Sequence, residues 1–289
     1  MNVPGALHPA LPDALRERLH AHRIVLVSPS HPGNIGSVAR AMRTMGLVDL
    51  VVVAPHDPDF IDHRQALALA SGAVELLRSA RTAPSLEAAI ADCQMVVAVS
   101  AEPREFGPEP AMPGAVVEHA QQALRARRAQ RIAWVFGTER NGLSIDEVSL
   151  CTHLATIPAE PAHASLNLSQ AVQIIAFVLR QSVLGEREAL LGPVTAHLRH
   201  PPGAPPPPPG PNRLDRGEAL ADHVSLERLF EHLERTMVAI GYLDPVHPRK
   251  MMARLRRMLL RSEPDNADVD LLRGICRAIE RGQARSAGL

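Results

Sequence analysis

The chain has 289 residues, an apolar fraction of 46% and a formal net charge of zero. That length suits one large domain with a smaller companion, and that composition supports a real core. Zero net charge announces no polyanionic partner, aromatics at 2% exclude a stacking platform for splayed bases, and no apolar run approaches the ~20 residues of a membrane helix.

Residues 1–22 carry prolines and charges but no signal-peptide core, so they read as an N-terminal extension of a cytoplasmic protein. Five apolar runs then read as buried strands: Ile24 to Ser28, Leu50 to Ala54, Met95 to Ser100, Ile132 to Phe136 and Leu154 to Ile157. They are nearly continuous in Val, Ile and Ala, as parallel strands covered on both faces must be. Helical periods fall between them at Ile35 to Met45, Ser85 to Ala91 and Gly114 to Arg128. Ser165 to Leu184 is long, apolar on most sides, and expected to be mostly buried. The fold class is α/β, a parallel sheet with helices on both faces, spanning residues 23–190.

Residues 191–216 form a linker, because Pro201, Pro202 and Pro205 to Pro209 favour extended polyproline. Residues 217–289 return to helical periods, with stripes at Val224 to Ile240, Met251 to Leu259 and Leu271 to Ile279. This is a small all-helical extension. Cys93, Cys151 and Cys276 are odd in number and scattered, so neither a disulfide framework nor a metal site is expected.

Lys250 is the only lysine, so 30 of the 31 basic residues are arginine, whose planar fork suits phosphate. They cluster at Arg125 to Arg131 and at Arg249 to Arg261. A solvated helix face is the alternative reading of each.

Three polar segments stand at strand ends. The first, Ser30-His31-Pro32-Gly33-Asn34-Ile35-Gly36-Ser37-Val38-Ala39-Arg40, lacks both the G-x-G-x-x-G and the G-K-[ST] patterns, which argues against a dinucleotide or P-loop site. Gly33 and Gly36 fit a tight turn, and Arg40 stands one helical turn past Gly36. The second, Gly137-Thr138-Glu139-Arg140-Asn141-Gly142, is a Gly-rich turn that lets backbone approach a ligand, with Ser144 and Glu147 as a capping box. The third, Ser165-Leu166-Asn167-Leu168-Ser169, opens the long apolar helix, where Ser165 is either a cap or a ligand group. No G-x-S-x-G elbow surrounds it, and His163 reads as a loop residue. Together the segments look like one site built from three loops.

In order and spacing these segments resemble the three motifs of the SPOUT superfamily of knotted methyltransferases, and within it the TrmJ-type tRNA 2′-O-ribose methyltransferases. The resemblance covers Arg23 to Leu184, and the C-terminal helices resemble the extension of that subfamily. Thr138 and the His163-Ala164 pair depart from the usual pattern. The resemblance implies a C-terminal trefoil knot in the α/β domain, an S-adenosylmethionine pocket made by the knotted loops, and a homodimer. It places Ser100, Ala101, Gly137, Glu139, Gly142, Ile157, Ser165 and Leu166 at the cofactor.

By the same resemblance Arg40, Asn34, Ser165 and Asn167 are catalytic, and the substrate is tRNA at nucleotide 32, as cytidine or uridine. An arginine is a poor proton acceptor. Arg40 is therefore expected to stabilise the developing alkoxide, with a substrate phosphate or water taking the proton. Asn34, Ser165 and Asn167 would orient the ribose, and Glu139 would hold the second loop and a dimer contact. Arg43, Arg140, Arg249, Lys250, Arg254, Arg257 and Arg261 are expected at RNA. No membrane and no metal enters. The alternatives are a ribosomal-RNA methyltransferase of the same fold and a non-catalytic RNA-binding protein that keeps the knot.

Overall fold

A computed structural model describes residues 11–101, 107–160, 162, 164–191, 219–245 and 250–286. His163, Arg249 and the proline run fall outside them. In chain order the sheet domain comprises α1 (Asp13–His20), β1 (His22–Val27), α2 (Pro32–Met45), β2 (Asp49–Val53), α3 (Arg64–Ala70), α4 (Val74–Arg78), β3 (Arg81–Ala83), α5 (Leu86–Ile90), β4 (Met95–Val99), β5 (Pro110–Ala111), α6 (Pro113–Arg125), β6 (Ile132–Phe136), α7 (Ile145–Ser149), β7 (His153–Ala155) and α8 (Leu168–Leu191). The extension comprises α9 (His223–Ala239), α10 (Met251–Leu260) and α11 (Asn266–Ser286).

Seven strands form one sheet in the order β3-β2-β1-β6-β4-β7-β5, every pair parallel. Alternate residues of each strand serve different cores, as the two-residue period requires. Ile24, Leu26, Leu50, Val52, Ile132 and Trp134 join the cluster that includes α2, α6 and α8. Val25, Val27, Val51, Val53, Ala133 and Val135 join Leu86 and Ile90 of α5 and Val148 of α7. Both faces are covered, which is why the strands read as unbroken apolar runs.

The five expected strands are present, and β3 and β5 are additional. Each is a two- or three-residue edge strand, too short to leave a periodic signal. α1 lies inside the segment read as an extension. Its Leu15 and Leu19 are buried in the main core, so the domain begins before residue 23. The 18 residues Leu168–Gly185 of α8 are apolar and long enough to cross a membrane by length and composition, which the sequence reading did not allow. Val172, Ile175, Leu179 and Val183 sit in the domain core. Only 33% of that stretch is buried, however, so α8 is less enclosed than its composition suggests, and Phe177 remains 51% exposed.

The extension has its own small core of Leu226, Leu229, Phe230, Leu260 and Val269. It touches the sheet domain through backbone bonds, Leu220 N–H to Arg128 O at 2.7 Å and His223 N–H to Cys93 O at 3.2 Å.

Gly33 and Gly36 lie within α2 rather than in a turn. A side chain on Gly36 would place its Cβ 2.1 Å from the carbonyl oxygen of Ala66 in α3. Gly36 is therefore a packing requirement, letting two helices touch backbone to backbone. Gly36→Ala should lower stability by about 1–3 kcal/mol despite the better helix propensity, because a backbone oxygen cannot step aside. Gly114→Ala in α6, where a Cβ meets open space, should be neutral or stabilising. Urea midpoints of the two variants check this. An unchanged midpoint for Gly36→Ala would refute the close contact.

Candidate active site

The Gly-rich segment after β6 closes on itself. Thr138 and Gly142 exchange backbone bonds, N–H to O at 3.2 Å and 2.9 Å, and Asn141 N–H donates to Thr138 Oγ1 at 3.1 Å. Gly142 has φ +64°, a conformation that favours glycine. A Cβ on Gly137 would stand 2.1 Å from the Gly142 carbonyl carbon. Both glycines thus shape the loop itself; at Gly137 the close approach is to this chain's own backbone. The capping box of α7 is present, with Glu147 N–H on Ser144 Oγ at 3.2 Å and Ser144 N–H on Glu147 Oε2 at 2.7 Å.

Glu139, at the head of this loop, reaches across to the loop after β1. Its Oε2 accepts from Ser30 N–H and Ser30 Oγ–H, both at 2.9 Å. Its Oε1 accepts from Asn34 Nδ2 at 2.9 Å and from His31 N–H at 3.3 Å. Partial burial works against its ionisation, but the Asn34 and Ser30 donors outweigh it and pull the carboxyl down to about 2. Glu139 thus ties the second loop to the segment after β1.

Asn34 passes the tie onward. Its Oδ1 accepts from Asn167 Nδ2 at 3.1 Å. Asn167 Oδ1 in turn accepts from the N–H and Oγ–H of Ser169, at 2.9 Å and 2.7 Å. Asn167 therefore caps α8, and Ser165 does not. The three segments picked from the sequence are joined by one hydrogen-bonded chain, Glu139–Asn34–Asn167.

Glu139, at one end of that chain, lines a cleft of about 320 Å³ at the C-terminal ends of β4 and β6, while Asn34 and Asn167 stand outside its lining. Such crevices are where open parallel sheets bind ligands. Ser100, Ala101, Gly137, Glu139, Gly142, Ile157, Ser165 and Leu166, all expected at a cofactor, line it. Val99, Phe136, Leu168 and Ala171 line it too. Leu168 belongs to the third segment, while Val99, Phe136 and Ala171 look in the sequence like ordinary core residues. An apolar wall with a few directed polar groups suits a nucleoside-sized ligand.

Arg140 is exposed at the cleft wall. Arg40 lies outside the lining, exposed on α2, with no side-chain hydrogen bond or ion pair among the described residues. Arg43 is exposed one turn further on. In the extension, Arg254, Arg257 and Arg261 share one shallow groove around Met258, Arg257 also pairs with Glu109 at 3.2 Å, and Lys250 is exposed. Arg249 is outside the described residues. The other basic cluster is largely spent internally. Arg125 pairs with Glu118, Arg128 with Glu263, and Arg131 with Asp49 and Asp92.

A sheet-end cleft walled by the segments after β6 and before α8, both tied to the segment after β1, defines a ligand-binding α/β protein. Residues 21–177 match the SpoU rRNA methylase family, so the chain belongs to that family. Residues 224–288 match the C-terminal domain of the tRNA methyltransferase TrmJ. Among similar proteins, the tRNA (cytidine/uridine-2'-O-)-methyltransferase TrmJ of Klebsiella pneumoniae is 39% identical over 270 residues, covering 90% of this chain and 96% of the relative. The TrmJ of Yersinia pestis is 38% identical, covering 91% and 93%. The crystal structure of TrmJ from Z. mobilis ZM4 superposes with a TM-score of 0.69 at 28% identity, over 89% of this chain and 98% of that one. A probable methyltransferase from Bordetella pertussis Tohama I superposes with a TM-score of 0.55 at 39% identity, over 58% and 99%.

Because the folded-state pKa of Glu139 lies below its ordinary value of 4.5, its contribution to stability is complete above that value and is lost as pH falls toward about 2. The difference in thermal midpoint between the wild type and Glu139→Gln should be constant above pH ~5 and shrink below it. A difference that does not change with pH would show that the carboxylate charge is not what holds the loops.

Proposed function

We propose that the chain transfers a methyl group from S-adenosylmethionine to a ribose 2′-hydroxyl of tRNA. The observation that carries this reading is the joining of three loops by Glu139, Asn34 and Asn167 beside one cleft. Membership of the SpoU family supports methyl transfer. The relatives named as tRNA (cytidine/uridine-2'-O-)-methyltransferases, of which this chain covers 93–96%, support tRNA as substrate. The match of the extension to the TrmJ C-terminal domain favours it over ribosomal RNA. Nucleotide 32 of the anticodon loop is the proposed position.

The cleft residues fit the cofactor. Ile157, Leu166 and Leu168 offer an apolar wall, and Ser100, Ser165 and the Gly137–Gly142 loop offer polar and backbone groups. When bound, S-adenosylmethionine supplies an electrophilic sulfonium methyl. The remaining work belongs to the chain. Alignment of the 2′-oxygen by Asn34, Ser165 and Asn167 can contribute about 7–11 kcal/mol. Arg40 stabilises the alkoxide as the proton leaves to a phosphate or water, since a guanidinium with a pKa above ~12 cannot accept it. Arg40's exposure without a partner among the described residues leaves it available to RNA, as are Arg43 and Arg140. In the extension, Lys250, Arg254, Arg257 and Arg261, with Arg249, supply phosphate contacts.

Two features of architecture accompany this function. The chain after β6 forms a trefoil knot, supported by the insertion of β6 between β1 and β4 and by the family. Two copies pair through the open side of α8, supported by its apolar stretch being only 33% buried and by the exposed Phe177.

Arg40→Ala should slow methyl transfer to tRNA by about 10²–10³-fold, with the affinity for S-adenosylhomocysteine unchanged by calorimetry. Light scattering on the wild type should report a dimer. Near-normal turnover in the variant, or a fully active monomer, would sink the respective assignment.

A further inference from the structure

Glu263 stands in the turn between α10 and α11 with φ +47°, which side-chain-bearing residues seldom adopt. It stands three residues past the end of α10, which carries Arg254 and Arg257 and is capped by Arg261, yet its carboxylate faces the sheet domain. Its Oε1 accepts from His119 of α6 and lies 3.5 Å from Nε2 of His153 in β7. Its Oε2 lies 3.5 Å from the Arg128 guanidinium. The side chain is only 14% exposed. Burial acts to raise its pKa, but the hydrogen bonds from His119 and His153 prevail and hold the carboxyl well below the usual range.

The surroundings make this turn a junction. Leu220 N–H donates to the carbonyl of Arg128 at 2.7 Å, and Ala221 N–H donates to Pro264 O at 3.0 Å. Leu220 also forms an antiparallel bridge with Asp265. Arg128, Leu220 and the Glu263 turn are thereby fastened together. Arg256 of α10 is committed inward, paired with both oxygens of Glu227 and lying 4.3 Å over the Phe230 ring. The remaining arginines of α10 are left facing the groove around Met258.

We propose that Glu263 is a positioning residue for RNA. Clamped by His119, His153 and Arg128, it docks the helical extension on the sheet domain and so fixes where Arg254, Arg257 and Arg261 stand relative to the cleft. The proposal rests on the tRNA reading above. A simple charge argument predicts the opposite effect, since deleting an acid beside a basic helix should strengthen binding of a polyanion. The donor atoms, two imidazole nitrogens and a carboxylate oxygen within 4.8 Å of one another, also resemble a zinc ligand set. The Arg128 charge against the second carboxylate oxygen opposes a dication there.

The test uses the full chain, Glu263→Gln, Arg128→Ala and the double variant. Hydrogen bonds to buried charges of this type justify an expected rise of about 10-fold in the KM for tRNA in Glu263→Gln. The kcat should stay within about twofold, and the affinity for S-adenosylhomocysteine should not move. Amide exchange at Leu220 and His223 should quicken. Arg128→Ala should act in the same direction, and the double variant should add little, because both break one clamp. An unchanged or lowered KM with unchanged exchange would overturn the proposal. So would a parallel loss of cofactor affinity, which marks general destabilisation, or a chelator-sensitive KM in the wild type, which marks a bound cation. A wild type that methylates no tRNA would fail the functional reading instead, while exchange at Leu220 and His223 would still decide the clamp.

Discussion

The Glu139 carboxylate accepts hydrogen bonds from Ser30 and His31 of the loop after β1 and from Asn34 in the first turn of α2. A carboxylate can only accept, so Asn34 must present its amide N–H₂ to it. The Asn34 oxygen is then left for Asn167 Nδ2, and the Asn167 oxygen is left for Ser169. One charged group therefore sets the polarity of a hydrogen-bonded chain that runs across three segments. It also caps α8, the helix that closes the domain. The cleft wall, the entry of α8 and the start of α2 share this constraint, and none of them could be re-oriented alone.

Much of this was legible in the sequence because its signals were local. Runs such as Ile132 to Phe136 revealed buried parallel strands through unbroken apolar character, and Ser144 with Glu147 revealed a cap through spacing. The three segments that the hydrogen-bonded chain joins were legible as motifs. What was not legible depended on residues far apart in the chain. The choice of Asn167 over Ser165 as the cap is fixed by Asn34, 133 residues away. The role of Gly36 is fixed by the Ala66 carbonyl in another helix. β3 and β5 are too short to carry a pattern, and the burial of Leu15 and Leu19 depends on what α1 packs against. The clamp on Glu263 joins groups as much as 144 residues apart.

The zero net charge conceals a division of labour among the arginines. Arg23 is 3% exposed and bonds Asp49, Asp92 and the carbonyl of Ala89, where the fork geometry satisfies several acceptors at once. Arg131 and Arg256 are likewise committed within the fold. Arg40, Arg43, Arg140, Arg254 and Arg261 stay exposed. Composition alone could not separate the two groups, because pairing is decided by which carboxylates the fold brings near.

Asn34 and Asn167 act on the ribose as links of one hydrogen-bonded chain rather than as independent contacts. A double-mutant cycle on tRNA methylation, with Asn34→Ala, Asn167→Ala and both together, measures this directly. If the chain is the functional unit, either substitution breaks it, and the double variant loses little more than the worse single one. Losses that multiply would show two independent contacts and would contradict the cross-tied site.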